Sequence, residues 1–280
     1  MNVEKTSDLQ TITKSNNTII DYGYTIYNGD SLSIMGELID KGIHVNMIFT
    51  SPPYNMQLSV HNNKYISRAN VQQYTGFEHK YEDFNDDLPL EDYFKFHSSC
   101  IDKMLEISDI ILYNIQIVSG SKESTFKIIG KYAEYIKDII IWDKGHGAPA
   151  ICNGILNKAT ELIIVFQSDG TKGRKIKYAQ FDRGTESDIW RFPRELSIYN
   201  KHRAVFPLKL AEHAIKNFSR AGDTILDPFM GTGTTGVASI NLNRKFIGID
   251  ISSKYCDVSK KRIDEAVEKY KMRRDISDVW

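Results

Sequence analysis

T-I-L-D-P-F-M-G-T-G-T-T-G (Thr224–Gly236), followed by K-F-I-G-I-D (Lys245–Asp250), is the stretch that decides the fold. A short apolar run leads into a turn carrying Gly231, Gly233 and Gly236, and a helix-compatible segment follows. Glycines let a ligand approach the backbone closely, and the first turn of a helix offers unpaired N–H groups. The G-K-[S/T] ending of a phosphate-cradling P-loop is absent. Asp250 closes the next apolar run, the place where nucleotide-binding α/β folds keep an acidic residue for ribose hydroxyls. Asp227 and Phe229, ahead of the glycines, depart from a dehydrogenase fingerprint and point to a different nucleoside ligand. A tight turn that binds nothing is the bland alternative for the glycines alone. The strand context and the spaced acid weigh against it.

Working outward, similar apolar runs occur at His44–Thr50, Asp109–Ile117, Asp138–Trp142 and Glu161–Phe166, with Asp223–Phe229 and Lys245–Ile251 completing the set. Near-continuous runs of this kind predict strands buried on both faces, as in a parallel sheet. Helical spacing of apolar residues predicts helices over Leu90–Ile107, Phe206–Gly222 and Ser252–Met272. Strands alternating with helices predict a doubly wound, mostly parallel α/β sheet. Residues 1–20 read as a polar tail and 21–280 as a single domain. Two stretches break the rhythm: an insertion at 55–88, rich in Asn, Tyr and acidic residues, and a mixed basic segment at 168–203. Loops of that length in a compact domain are usually functional or disordered.

The length of 280 residues suits one large α/β domain, and 41% hydrophobic with 26% charged residues argues against wholesale disorder. Lys+Arg and Asp+Glu both number 36, so any contact with nucleic acid rests on local rather than net charge. Cys100, Cys152 and Cys256 form no CxxC pair, which suggests neither a disulfide framework nor a thiolate metal site. His97, His146, His202 and His213 lack metal-ligand spacing, and no catalytic metal is expected. The polar start and the lack of a long apolar run predict a cytoplasmic protein that does not enter the membrane.

A second motif, I-F-T-S-P-P-Y-N (Ile48–Asn55), sits where a predicted strand ends. Pro52 and Pro53 stiffen the backbone and donate no N–H. The turn therefore projects Ser51, backbone carbonyls and the Tyr54 ring from the strand's carboxyl edge, where open α/β sheets bind ligands. A stiff surface turn is the alternative when the motif is taken alone.

S-P-P-Y (Ser51–Tyr54) together with D-P-F-M-G-T-G (Asp227–Gly233) resembles the amino-methyltransferases of bacterial restriction–modification systems. The order, S-P-P-Y first and the glycine loop late, is similar to the β class of those enzymes, a permuted arrangement of one fold. The likeness runs from about Tyr22 to Tyr270. Y-N-G-D (Tyr27–Asp30) is similar to the family's N-terminal element, and H-R-A-V-F-P-L-K-L (His202–Leu210) to the element before the cofactor loop, although Arg203 stands where the family often has proline. I-I-W-D-K (Ile140–Lys144) and S-D-I-W-R-F-P (Ser187–Pro193) also resemble family segments.

The resemblance implies a Rossmann-like class I methyltransferase fold, S-adenosylmethionine as cofactor, and double-stranded DNA as partner. It also raises a cognate restriction endonuclease and a homodimer as expectations. Cofactor contacts are expected from Asp30, Phe206, Pro207, Asp227, Pro228, Phe229, Gly231, Thr232, Gly233, Thr234 and Asp250, with Asp250 on the ribose, Asp30 near the adenine and Asp227 near the methionine moiety. Catalysis is expected from Ser51, Pro52, Pro53 and Tyr54. An exocyclic amine is a poor nucleophile because its lone pair is delocalised, so the site must accept its hydrogens. The Ser51 hydroxyl and the Pro52 carbonyl are acceptors of suitable type, and Tyr54 offers a face for a base flipped out of the duplex. Within the family that this chain resembles, serine at the first motif position, here Ser51, leans toward cytosine N4, with adenine N6 as the alternative. A related site acting on protein glutamine or RNA normally has the opposite motif order. A regulatory nucleotide-binding module would not need S-P-P-Y at a strand end. Cytosine C5 chemistry would need a nucleophilic thiol, typically after proline, which none of the cysteines provides. Lys172, Arg174, Lys175, Lys177, Arg183 and Arg191 are the expected DNA contacts, with a solvated charged loop as the alternative.

Overall fold

The computed structural model describes residues 18–21, 23–55, 59–61, 64–66, 88–148, 153–170, 173–194 and 206–277. In chain order the elements are β1 (Thr18–Asp21), β2 (Tyr24–Asn28), α1 (Ser31–Asp40), β3 (Met47–Thr50), β4 (Ser59–His61), β5 (Lys64–Ile66), α2 (Leu90–Ile107), β6 (Ile110–Ile115), α3 (Lys122–Lys131), β7 (Ile136–Ala148), β8 (Lys158–Gln167), β9 (Ile189–Arg191), α4 (Leu208–Phe218), β10 (Thr224–Asp227), α5 (Thr234–Asn241), β11 (Lys245–Asp250) and α6 (Ser253–Ser277).

A nine-stranded sheet takes every strand except the β4–β5 hairpin, in the order β1-β2-β11-β10-β3-β6-β8-β7-β9. The strands β2, β11, β10, β3 and β6 run parallel. Beyond them β8 is antiparallel to both β6 and β7, and β9 runs parallel to β7. Every residue of β3 and β6 is buried, as the unbroken apolar runs require of strands covered on both faces. On one face α1, α2 and α3 pack Met35, Leu38, Ile101, Met104 and Ile128 onto the sheet. On the other, Leu210, Ala214 and Phe218 of α4 and Ala238 of α5 meet Met47, Phe49, Leu112 and Ile225. The helix α6 extends that layer over Tyr24, Ile26 and Phe246. The predicted span of α2 matches its observed limits. Glu91 and Asp92 complement its amino-terminal dipole, and Tyr93, His97, Cys100, Ile101 and Met104 form its buried stripe.

The winding reverses between β10 and β3. From β10 the chain passes through α5 to β11 on one side, and from β3 through α2 to β6 on the other. The two strands are direct neighbours, Ile225 opposite Met47 and Leu226 opposite Ile48. A crevice at the carboxyl ends of the strands is expected at such a switch point. The glycine loop follows β10 and S-P-P-Y follows β3, so both motifs open onto this crevice.

Three features differ from the sequence reading. The expected tail at 1–20 is too long, because β1 pairs Thr18 with Tyr27 and draws the chain into the sheet. Within 168–203, β9 adds a short edge strand to β7; three residues are too few to show a period. The insertion at 55–88 contains the β4–β5 hairpin, and its other residues lie outside the described ones. Among the described residues no helix is long and apolar enough to cross a membrane.

Asn55 closes the neck of the insertion. Its Nδ2 donates to the Leu88 carbonyl at 2.9 Å and its Oδ1 accepts from the Leu88 N–H at 2.8 Å. The residue is fully buried with φ 50°, a left-handed conformation that asparagine tolerates better than most side chains. Asn55→Ala loses both bonds and incurs the left-handed strain, so it is expected to lower the unfolding free energy by about 2–4 kcal/mol. Asn55→Gly loses only the bonds and should cost roughly half as much. Denaturant unfolding of the two variants checks this, and equal losses would show that the backbone at position 55 carries no strain.

Candidate active site

The glycine loop is held from below and behind. Asp227, 1% exposed, accepts the Thr50 hydroxyl at 2.7 Å and the Phe229 N–H at 3.1 Å on one oxygen, and the Thr235 hydroxyl at 2.6 Å on the other. Arg262 of α6 donates to the Thr232 carbonyl and to the hydroxyls of Thr232 and Thr234, at 2.9 and 3.3 Å for the latter two. Ser259 donates to the Gly231 carbonyl at 2.7 Å. Gly233, at φ 77°, begins α5, and a Cβ there would lie 2.9 Å from Ser259. Only glycine combines that backbone conformation with that closeness to α6.

The front of the loop faces the crevice. Gly231 has φ 50°, and a Cβ built on it meets nothing within 4 Å. Its N–H donates to Asp250 Oδ2 at 2.8 Å, while Asp250 Oδ1 accepts the Ser252 N–H at 2.9 Å. Gly29 N–H and Asn28 Nδ2 both reach the Asp250 carbonyl at 3.0 Å. Asp30 is exposed and caps α1, its Oδ2 accepting from the Ser33 N–H and hydroxyl at 2.8 Å. Phe229 is half-buried, with its ring centroid 5.9 Å from that of Phe96.

Of the expected cofactor contacts, Asp30, Phe229, Gly231 and Asp250 thus reach the surface around one crevice. Thr232, Gly233, Thr234, Pro228 and Asp227 are buried behind it. Phe206 and Pro207 are also buried: the Phe206 ring lies 4.8 Å from that of Phe49, and Pro207 precedes α4. Asp227 had been expected beside the cofactor's methionine moiety. Both of its oxygens are engaged inside the protein, so its carboxylate fastens the two loops together. An open backbone at Gly231 beside the Asp250 carboxylate suits a nucleoside ligand.

Across the crevice, Pro52 and Pro53 are buried while Ser51 and Tyr54 are half-buried. The Ser51 hydroxyl lies 2.7 Å from that of Tyr54. Tyr54 donates to Glu161 Oε2 at 2.9 Å. Asn114 Nδ2 donates to Tyr54 Oη at 2.7 Å and to Glu161 Oε2 at 2.8 Å, with Ser51 Oγ farther at 3.3 Å. Glu161 Oε1 pairs with Lys144 Nζ at 2.9 Å, both side chains nearly inaccessible. Asn114, Glu161 and Lys144 were not predicted as site residues. Their signal in the sequence is a polar residue within or beside each of three apolar runs, at Ile110–Ile115, Glu161–Phe166 and Ile140–Lys144. Burial pushes the Cys256 thiol up to about 12 and the Cys100 thiol higher still, so neither supplies a thiolate nucleophile. Cys152 lies outside the described residues.

Of the predicted basic contacts, Arg174, Lys175, Lys177 and Arg183 do not reach this site. The Lys177 N–H donates to Gln167 Oε1 at 3.0 Å, and Lys137 donates to the Gly173 carbonyl at 3.4 Å. Gln167 pairs with Ile110, the first residue of β6. Arg174, Lys175 and Lys177 therefore lie along the amino-terminal edge of the parallel strands, a full strand length from Ser51 at roughly 3.3 Å per residue. Phe181, packed on Phe218 at the end of α4, leaves Arg183 in a turn that starts from the same edge. The cause is topological: β8 runs antiparallel, so the chain that follows it leaves at the opposite edge. The strand β9 brings it back, setting Arg191 3.7 Å from Asp143 and Arg194 3.8 Å from Glu161. Arg191, one of the expected contacts, is thus brought toward the site, together with Arg194, which was not among them. Lys172 and His202 lie outside the described residues.

A family model described as DNA methylase matches residues 45–261. The chain is 25% identical over 283 residues to the type II methyltransferase M2.MboI of Moraxella bovis, covering 92% of this chain and 96% of the relative. It is 29% identical over 260 residues to the type II methyltransferase M2.DpnII of Streptococcus pneumoniae, covering 85% and 89%. Among solved structures, the PvuII DNA methyltransferase, described as cytosine-N4-specific, superposes with a TM-score of 0.63 at 16% identity over 89% of this chain and 92% of that one. The crystal structure of M1.HpyAVI does so with a TM-score of 0.56 at 22% identity over 86% and 98%. These likenesses establish the Rossmann-like α/β fold.

The site rests on two buried groups whose protonation is displaced in opposite directions. His97, fully buried beneath S-P-P-Y with Tyr113 beside its Nδ1, is pushed down to about 3 by burial, against a smaller upward pull from the Pro53 carbonyl. Burial pushes Asp227 up to about 6, against the bonds from Thr235, Thr50 and Phe229. The stability that His97 contributes is complete above about 6.5, its ordinary value, and is lost as the pH falls toward 3. That from Asp227 is complete below 3.8 and is lost as the pH rises through about 6. His97→Gln leaves Asp227 unopposed. The stability gap between wild type and variant should therefore shrink by up to about 1.4 kcal/mol per pH unit between pH ~6 and ~4. Urea unfolding across that range tests it, and a constant gap would show that His97 takes up protons equally in both states.

Proposed function

Because the chain belongs to the DNA methylase family, whose members methylate DNA from S-adenosylmethionine, we propose that it methylates the N4 amine of cytosine in a short double-stranded site. The carrying observation is that Ser51, a neutral acceptor on a rigid turn, follows β3 while Gly231, hydrogen-bonded to Asp250, follows the adjacent parallel strand β10, so both stand at the carboxyl edge of the sheet beside the switch point. Bound there, the cofactor supplies a methyl group on a sulfonium for in-line displacement.

The chain's own residues bind, orient and accept. Asp250 holds the ribose, Asp30 lies toward the adenine, and Phe229 packs on the methionine side. The backbone turn at Gly231 gives the cofactor room to approach. On the opposite wall Ser51 Oγ and the Pro52 carbonyl accept the hydrogens of the target amine. As the amine nitrogen loses conjugation with the ring, those bonds strengthen, and it is this strengthening that accelerates the transfer. The base reaches the site by flipping out of the duplex, at a cost of a few kcal/mol that stacking on Tyr54 helps to offset. Arg191 and Arg194 offer positive charge to the phosphate backbone on this edge. The type II relatives make a cognate endonuclease part of the same reading.

Two measurements test it. DNA incubated with the protein and S-adenosylmethionine, then digested and analysed by mass spectrometry, should contain N4-methylcytosine. N6-methyladenine as sole product would overturn the base assignment, and unmodified DNA would overturn the activity. Ser51→Ala should lower the single-turnover rate by on the order of 100-fold while cofactor affinity by calorimetry stays near wild type. A variant with the wild-type rate would remove the hydroxyl from the mechanism.

A further inference from the structure

The proposed chemistry uses Ser51 and Tyr54 but leaves Asn114, Glu161 and Lys144 without a task. All three are almost completely buried, at 1%, 6% and 2% exposure, and buried charges persist only when paired and hydrogen-bonded. Burial lowers the Lys144 pKa, and contact with Glu161 opposes that shift.

The charged ends of the network constrain the direction of the hydrogens between them. A carboxylate only accepts, and an ammonium only donates. Glu161 Oε1 takes Lys144 at 2.9 Å with the Arg194 guanidinium 3.8 Å away, and Oε2 takes Tyr54 at 2.9 Å and Asn114 at 2.8 Å. The amide of Asn114 is thereby oriented: the reverse arrangement would set its oxygen against the carboxylate. It holds that orientation although its Oδ1 has no partner among the described residues. Its second N–H points at Tyr54 Oη, 2.7 Å away. Tyr54 has one hydrogen, committed to Glu161, so its oxygen receives from Asn114 and, at 2.7 Å, from Ser51. With its hydrogen turned inward, the Ser51 hydroxyl presents lone pairs to the crevice. An exocyclic amine brings donors to such an oxygen, whereas a keto group brings an acceptor and is repelled.

We propose that Glu161, ion-paired with Lys144, is a positioning residue that turns the Ser51 hydroxyl through Tyr54 so that it accepts from an amine, which makes the site selective for amine-bearing over keto-bearing bases. This rests on Ser51 being the acceptor for the target amine.

Glu161→Gln tests the inference. Lys144 can only donate, so it claims the new amide oxygen and leaves the NH2 group facing Tyr54. The same NH2 group pushes aside the Asn114 amide, which donated to Oε2, so Tyr54 loses the carboxylate that held its hydrogen and the Ser51 hydroxyl is no longer held with its hydrogen turned away from the crevice. The expected result is a fall in kcat on the order of 100-fold, with cofactor affinity near wild type and a lowered thermal unfolding temperature because Lys144 loses its counter-charge. Tyr54→Phe, which cuts the link, should show a comparable fall. Adding Glu161→Gln to Tyr54→Phe should bring no further loss, whereas two separate structural roles would multiply. DNA with the target base replaced by its deaminated, keto counterpart gives a second readout: wild type should bind the amine form more tightly, and Glu161→Gln should lose or reverse that preference. A Glu161→Gln protein at wild-type kcat with the preference intact, or losses that multiply in the double variant, would overturn the inference alone. A wild type that transfers no methyl group to any DNA would overturn the parent reading and the inference with it.

Discussion

The carboxylate of Asp227, out of reach of water at the ends of β10 and β3, is the interaction on which the rest of the site depends. Taking it from water is costly, and the hydroxyls of Thr50 and Thr235 with the Phe229 N–H are what hold it there. Thr50 is the last residue before S-P-P-Y, and Phe229 opens the glycine loop. One side chain therefore sets the origin of both loops, although 177 positions separate Thr50 from Asp227. Catalysis that depends on holding a donor and an acceptor in line tolerates little drift between them.

From that anchor the two walls are stiffened by different means. On the glycine side the support comes from behind, through Arg262 and Ser259 of α6, and from Ser31, whose hydroxyl donates to the Pro228 carbonyl. This leaves the crevice side of the loop as open backbone. On the S-P-P-Y side the support comes from beneath: Tyr93 donates to the Pro53 carbonyl at 3.2 Å and Ser121 to the Tyr54 carbonyl at 3.1 Å. Asn55, immediately after the motif, ties the end of the turn to Leu88 through two hydrogen bonds.

The parallel half of the sheet was legible because burial on both faces leaves apolar runs that need no period to be recognised. The helix Leu90–Ile107 was legible because its stripe is long and its limits coincide with a proline and a polar boundary. The two loops that make the crevice were legible because each needs residues with special backbones: glycines at φ 50° and 77°, and paired prolines. What escaped depends on long-range pairing. The reversal of β8 decides on which edge the basic cluster emerges, and nothing within K-G-R-K-I-K (Lys172–Lys177) records it. Asn114, Glu161 and Lys144 come from three different strands, and only the register of β6, β8 and β7 brings them to one place. The tail was misjudged for the same reason, since Thr18–Asp21 is a strand only because β2 offers it an edge.

The network behind Ser51 also bears on why a neutral side chain stands at that position. Ser51 lies 2.7 Å from the Tyr54 oxygen, and Tyr54 lies 2.9 Å from Glu161. An aspartate at position 51 would bring a second carboxylate to within two hydrogen bonds of the first, which is itself buried at 6% exposure. It would also reverse a bond, since a carboxylate at 51 has no hydrogen to offer Tyr54 and would compete with Glu161 for the only one Tyr54 has. With serine, the negative charge sits one layer deeper, neutralised by Lys144, and acts on the crevice only through the direction in which hydroxyls point. The site is then polarised toward accepting hydrogens without placing a full charge beside the incoming base.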